Sequence, residues 1–92
     1  MKLTDRITAA PHVTGTPLPG ELVLLQLETG HYYGLDEIGA RAWTLLVTEG
    51  FSVGDAAIKI TSEFETDLAQ AQDDLLKLVT SLEAAKLVQL AP

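Results

Sequence analysis

The stretch LETGHYYGLDEIGARAW, Leu27 to Trp43, decides how this chain folds, because a turn, a strand and the start of a helix follow one another within it. Glu28, Thr29 and Gly30 separate two strand-like runs, Glu21 to Gln26 (ELVLLQ) and His31 to Leu35 (HYYGL). Gly30 supplies the positive-φ position that such a connection needs, so the two runs form a hairpin. Asp36 is a good helix N-cap, and beyond it Ile38, Ala42, Leu45 and Leu46 recur at helical spacing until Gly50 stops the run.

Two more helices follow. Ser52 with Asp55 three residues on resembles a capping box, and Val53, Ala57, Ile60 and Phe64 then make one apolar stripe that ends near Phe64. Thr66 is placed to cap a third and longest helix, whose buried face is marked by Leu68, Ala71, Leu75, Leu78, Val79, Leu82 and Ala85. Glu63, Glu65 and Asp67 cluster at its start, where the helix dipole favours negative charge. On the N-terminal side, Arg6 to Gly20 (RITAAPHVTGTPLPG) holds three prolines and two glycines, and reads as a short edge strand followed by a loop.

The chain is thus one domain over residues 1 to 92: strand and Pro/Gly loop (1–20), hairpin (21–35) and three helices (36–90). Helices covering one face of a three-stranded antiparallel sheet give an α+β fold of winged helix-turn-helix type.

Composition narrows the function. At 47% hydrophobic and 21% charged residues the chain is apolar enough to fold around a core. It has no cysteine, which rules out disulfides and thiolate chemistry and fits a reducing compartment, so a cytoplasmic location is expected. MKLTDRITAAPHV lacks the apolar core of a signal peptide, and no uncharged run approaches the roughly 20 residues needed to span a bilayer. The net charge of −7 repels phosphate backbones and anionic lipid, which argues against nucleic acid and membrane as partners.

Catalytic and metal chemistry find no constellation. His12 and His31 fall in different elements with no carboxylate at ligand spacing, so no metal site is expected. Ser52, Ser62 and Ser81 sit in helical or capping contexts rather than in a G-x-S-x-G turn. Asp73 and Asp74 are adjacent on a helix and point about 100° apart, which suits a solvated face better than a shared-proton pair. Gly30, Gly34 and Gly39 follow no phosphate-binding pattern, and no cofactor is expected. Trp43 reads as core.

What remains is geometric. With the first strand on one side of Glu21 to Gln26, the strand His31 to Leu35 lies at the sheet edge with its backbone free, and a free edge can accept a strand from a partner peptide. On the third helix, Leu76 lies about 100° from Leu75, beside Gln72, Asp73 and Thr80, and exceeds what core packing needs. An apolar wall beside an open edge would make a peptide groove.

LVLLQLETGHYYGLDEIGARAWTLL, followed by GFSVGDAAIKITSEFETDLAQAQDDLLKLVTSLEAAKLVQL, resembles the PqqD-like family, the leader-peptide recognition elements of ribosomally made, post-translationally modified peptide (RiPP) pathways. The resemblance rests on the T-G turn, the aromatic strand, G-A-x-x-W-x-L-L, the short helix with a capping serine, and an acidic residue on the last helix. It is strongest to the stand-alone members of lasso peptide pathways. It implies a protein without a catalytic centre, which binds a precursor's leader by strand addition and delivers it to a separate leader peptidase, a cyclase acting afterwards. It further implies a peptide site made of His31, Tyr32, Tyr33, Gly34 and Leu35 on the strand, with Asp74 as the acidic position and Leu75, Leu76 and Lys77 lining or flanking the groove; Gln72 lies beside them. Lys86 stands where many relatives have glycine, which puts the end of the last helix in question. The alternatives are a winged-helix DNA-binding regulator, opposed by six basic against thirteen acidic residues, and a peptide chaperone for a radical enzyme within the same family.

Overall fold

The computed structural model describes residues 1–92. Its centre is the strand Glu21–Gln26, called β3, whose alternation buries Leu22, Leu24 and Gln26 on one face and leaves Val23 and Leu25 half-buried on the other. It is flanked on both sides by antiparallel partners, Val13–Leu18 (β2) and His31–Leu35 (β4), in the order β2-β3-β4. Gly30 turns the β3–β4 hairpin with φ 75° and donates its N–H to the Gln26 carbonyl at 2.8 Å.

The segment before β3 contains more strand than its prolines suggest. A short strand, Ile7–Ala9 (β1), comes first, but the neighbour of β3 is β2, in the stretch expected to be a loop. The reason lies in the ladder. The Leu27 N–H donates to the His12 carbonyl at 2.8 Å. Antiparallel pairs alternate between bonded and non-bonded, so Thr14, Thr16 and Leu18 exchange bonds with Leu25, Val23 and Glu21. Pro17 therefore falls where its missing N–H would have faced away from β3, the position an edge strand tolerates. Pro19 and Gly20, the latter at φ 72°, then form the two-residue turn into β3 in the arrangement of a type II turn.

After β4, Asp36 accepts from the Gly39 N–H at 2.8 Å and starts the helix Glu37–Trp43 (α1), which continues through Thr44–Thr48 with π-helical bonding and ends before Gly50 at φ 74°. Gly39 packs closely on β4, since a Cβ there would lie 3.3 Å from the Leu35 side chain, which would have to give by a few tenths of an ångström. The helix Val53–Phe64 (α2) is capped by Ser52, whose hydroxyl accepts from the Asp55 N–H at 3.2 Å. The preceding two N–H groups, of Val53 and Gly54, donate to the carbonyls of Asp5 and Leu3, so the N-terminal segment completes that cap. Arg41 of α1 reaches Glu63 of α2 through two hydrogen bonds of 2.8 and 2.9 Å and Glu49 through one of 3.3 Å.

The third helix, Leu68–Ala84 (α3), has Asp67 rather than Thr66 at its N-cap, and no side chain bonds there. It also stops well short of residue 90. The Leu87 N–H donates to the Leu82 carbonyl and the Lys86 N–H to that of Glu83, with Lys86 itself left-handed at φ 61°. This is a Schellman cap with lysine in the glycine position. The chain leaving it forms a fifth strand, Val88–Leu90 (β5), paired antiparallel with β1. The core between the β2-β3-β4 sheet and the helices includes Leu24, Leu45, Leu46, Ile60, Val79 and Leu82, all almost wholly buried. No helix is long and apolar enough to cross a membrane.

Candidate functional site: the open edge of β4 and the groove beneath it

The alternation that fixes the position of Pro17 also fixes the free edge. If Val23 and Leu25 direct their backbone groups to β2, then Leu22, Leu24 and Gln26 direct theirs to Leu35, Tyr33 and His31. Tyr32 and Gly34 are left with N–H and C=O pointing outward, with no strand beyond them. The side chains alternate in the other sense. Tyr33 and Leu35 share the helix-facing side with Leu24 and Leu22, whereas Tyr32, 73% exposed, stands on the outer face. Of the two adjacent tyrosines, Tyr33 faces the helices.

Below β4 the sheet and α3 diverge and leave a groove of about 460 Å³. Tyr33, Gly34 and Leu35 form one wall. Ile38, Gly39 and Ala42 of α1 form the floor with Ile60 of α2, and Ala71, Asp74, Leu75 and Leu78 of α3 form the opposite wall. These four α3 residues follow the i, i+3, i+4, i+7 spacing of one helix face. The polar residues that line it are Tyr33, Asp36, Thr66 and Asp74. The Asp74 Oδ1 accepts from the Gln70 amide at 2.8 Å. Asp73 instead pairs with Lys77 at 2.9 Å, and that hydrogen bond holds the Lys77 ammonium above its usual pKa.

Of the residues singled out in the sequence, Tyr33, Gly34, Leu35, Asp74 and Leu75 come together around this groove. His31 and Tyr32 lie on the same strand outside the cavity. Gln72 is half-buried on α3 and lines neither hollow. Leu76 and Lys77 border a second, shallower hollow on the far flank of α3, with Met1, Thr80 and Ser81. Leu78, expected in the core, is half-buried and forms the groove wall. The core side of α3 runs through Ala71, Leu75, Val79 and Leu82, so Leu76 and Leu78 flank it on opposite sides. Leu68 and Ala85, also expected inside, are exposed. Leu78, Ala71, Ile38 and Thr66 were not singled out as site residues. The available signal for Leu78 and Ala71 was their shared face with Asp74 and Leu75. No cluster of His, Asp and Glu side chains is placed to hold a metal ion.

Comparison with known proteins bears on this site. The family model described as coenzyme PQQ synthesis protein D (PqqD) matches residues 21–88. Among solved structures, TbiB1 in complex with the TbiA(beta) leader peptide is 32% identical, with a TM-score of 0.83 over 89% of this chain and 94% of that one. A lasso peptide synthetase B1 complexed with the leader peptide is 28% identical, with a TM-score of 0.84 over 91% and 98% of the two chains. No curated protein matches the chain.

Proposed function

Because the chain belongs to the family of coenzyme PQQ synthesis protein D (PqqD), we propose that it captures the leader segment of a ribosomal precursor peptide and presents the precursor to separate enzymes of lasso peptide biosynthesis. The leader adds as a strand to β4, its backbone bonding the outward groups of Tyr32 and Gly34, and every second side chain enters the groove against α3. The observation that carries this reading is the unpaired edge of β4 directly above an apolar groove. Support comes from two structural neighbours that cover most of this chain, both described as complexes with leader peptides.

The sheet has two edges, and they differ. On β2 the outward positions are Val13, Gly15 and Pro17, so any incoming ladder is interrupted at the proline. On β4 no proline intervenes, and no charged side chain guards the edge. The protein itself acts as a cytoplasmic, non-catalytic binding module. A leader peptidase cleaves the presented precursor and a cyclase then closes it. Of the residues carried by the resemblance, His31 to Leu35, Asp74 and Leu75 face or border the leader. Leu76 and Lys77 lie on the far flank of α3, away from the leader, Gln72 lines neither hollow, and Leu78 joins the wall.

The test is hydrogen exchange on isotopically labelled protein, with and without the leader of the precursor encoded in the same gene cluster. The amides of Tyr32 and Gly34 should gain protection while those of Val13 and Gly15 on the other edge do not. Unchanged β4 amides, or helical carbon shifts in the bound leader, would rule out strand addition.

A further inference from the structure

The outer face of the sheet, turned away from the groove, has a gap beside its open edge. Its side chains form rows across the strands, Thr14–Leu25–Tyr32 and Thr16–Val23–Gly34, of which Thr14, Thr16, Tyr32 and Gly34 are exposed. Tyr32 carries the first row out to the edge. The second stops at the half-buried Val23, because Gly34 has no side chain to continue it. Nothing in the fold demands glycine there. Gly34 is not among the glycines with positive φ, and a Cβ added to it would meet no atom within 4 Å. Glycine weakens a strand, and one that neither a turn nor crowding requires marks a place where another chain comes close.

Gly34 is also one of the residues whose N–H and C=O point outward, so a strand added to β4 sets one residue directly opposite it, with its side chain on this outer face. We infer that the gap is a selecting position on the face away from α3, filled by one aromatic or large aliphatic side chain of the leader that lies over Gly34 and reaches Val23, with Tyr32 beside it in the adjacent row. This rests on strand addition as described above and adds to it what one outward residue of the guest must be. Such a side chain covers the bare backbone at Gly34 and removes apolar surface of Val23 from water. A small side chain does neither.

The experiment measures the leader of the precursor encoded in the same gene cluster, and its single alanine variants at every position, by fluorescence anisotropy on wild type, Gly34→Val and Val23→Thr. Both protein variants keep the outward backbone groups of β4. Gly34→Val places a β-branched residue in open space and should unfold at or above the wild-type temperature; Val23→Thr carries the same comparison should it not fold. One leader residue, aromatic or large and aliphatic, should lose about fivefold in affinity on wild type when changed to alanine, the scale of one cross-strand pair. That loss should vanish on Gly34→Val, whose own side chain fills the gap, and shrink on Val23→Thr. Alanine at leader positions that enter the groove should cost the same on every protein. A leader in which no alanine loss depends on either protein substitution, or in which the dependent residue is small or charged, would overturn the inference, and strand addition would stand if that leader protects the Tyr32 and Gly34 amides from exchange. A leader that fails to bind, or binds without protecting those amides, would overturn both.

Discussion

The side-chain amide of Gln26 donates to the carbonyl of Lys86 at 2.8 Å, tying the end of the central strand to the left-handed residue that closes α3. The same amide nitrogen approaches the Pro11 carbonyl at 3.4 Å, and its oxygen accepts from the Glu28 N–H at 3.0 Å. One buried glutamine thus joins the β1–β2 connection, the hairpin and the turn before β5. Replacing it with leucine strands those backbone groups, and Gln26→Leu should lower stability by about 1 to 3 kcal/mol in urea unfolding. A change below about 0.5 kcal/mol would mean that the three segments are held by other contacts.

Lys86 makes a converse prediction. A side chain at φ 61° is strained whatever surrounds it, and glycine is not. Lys86→Gly should stabilise the fold by about 0.5 to 1 kcal/mol, while Ala85→Gly, at φ −83°, should destabilise it. The order of the two midpoints in thermal unfolding decides the point.

The backbone alternation along β4 can be tested with proline. At Gly34 a proline removes only an outward N–H, so Gly34→Pro should keep the fold and lose leader binding. At Tyr33 it removes the bond to Leu24, so Tyr33→Pro should cost roughly 3 kcal/mol or more of stability. Circular dichroism with peptide titration separates the outcomes; equal unfolding of both variants would place the free groups on the wrong residues.

On α3 the contrast is between neighbours. Leu78→Ala should reduce leader affinity by roughly 1 to 2 kcal/mol, the value of part of an apolar contact. Leu76→Ala, on the other flank, should leave affinity within about 0.5 kcal/mol of wild type. Leu75→Ala should instead cost roughly 2 to 5 kcal/mol of stability, because that side chain is almost fully buried. A larger binding loss at Leu76 than at Leu78 would move the leader to the opposite side of the helix.

The Arg41–Glu63 pair makes the fold sensitive to acid. Hydrogen bonding from Arg41 lowers the Glu63 pKa below its ordinary 4.5, and the same bond raises that of Arg41 above its ordinary value. A carboxylate with a depressed folded-state pKa contributes stability that is present above pH 4.5 and lost as pH falls through the lower folded value. The arginine contribution is lost only at strongly alkaline pH. Arg41→Met should therefore destabilise the protein at pH 7, and the gap to wild type should close in acid as Glu63 protonates. A gap independent of pH would assign the loss to packing of the arginine stem.

Much of this fold could be read locally. Asp36, Ser52 and Gly30 do what their types suggest, because capping and turning depend on neighbours within a few residues. The strand β2 was hidden because a proline's cost depends on which way its missing donor points, and that is set by a partner strand rather than by the proline. The pairing of β1 with β5 joins three residues at each end of the chain, too short to leave a pattern. Which α3 leucine lines this groove was illegible for a related reason. Leu76 and Leu78 lie on either side of the core stripe, and only the packing of α3 on α2 and the sheet decides which of them meets β4.

Pro17 also limits what the sheet can become. A strand that docks on β4 brings its own far edge, but the opposite end of the sheet is interrupted and cannot take a second strand in register. Each domain is consequently a terminus and not a link: one guest per host, at a stoichiometry of one to one, with no head-to-tail stacking of loaded domains into filaments.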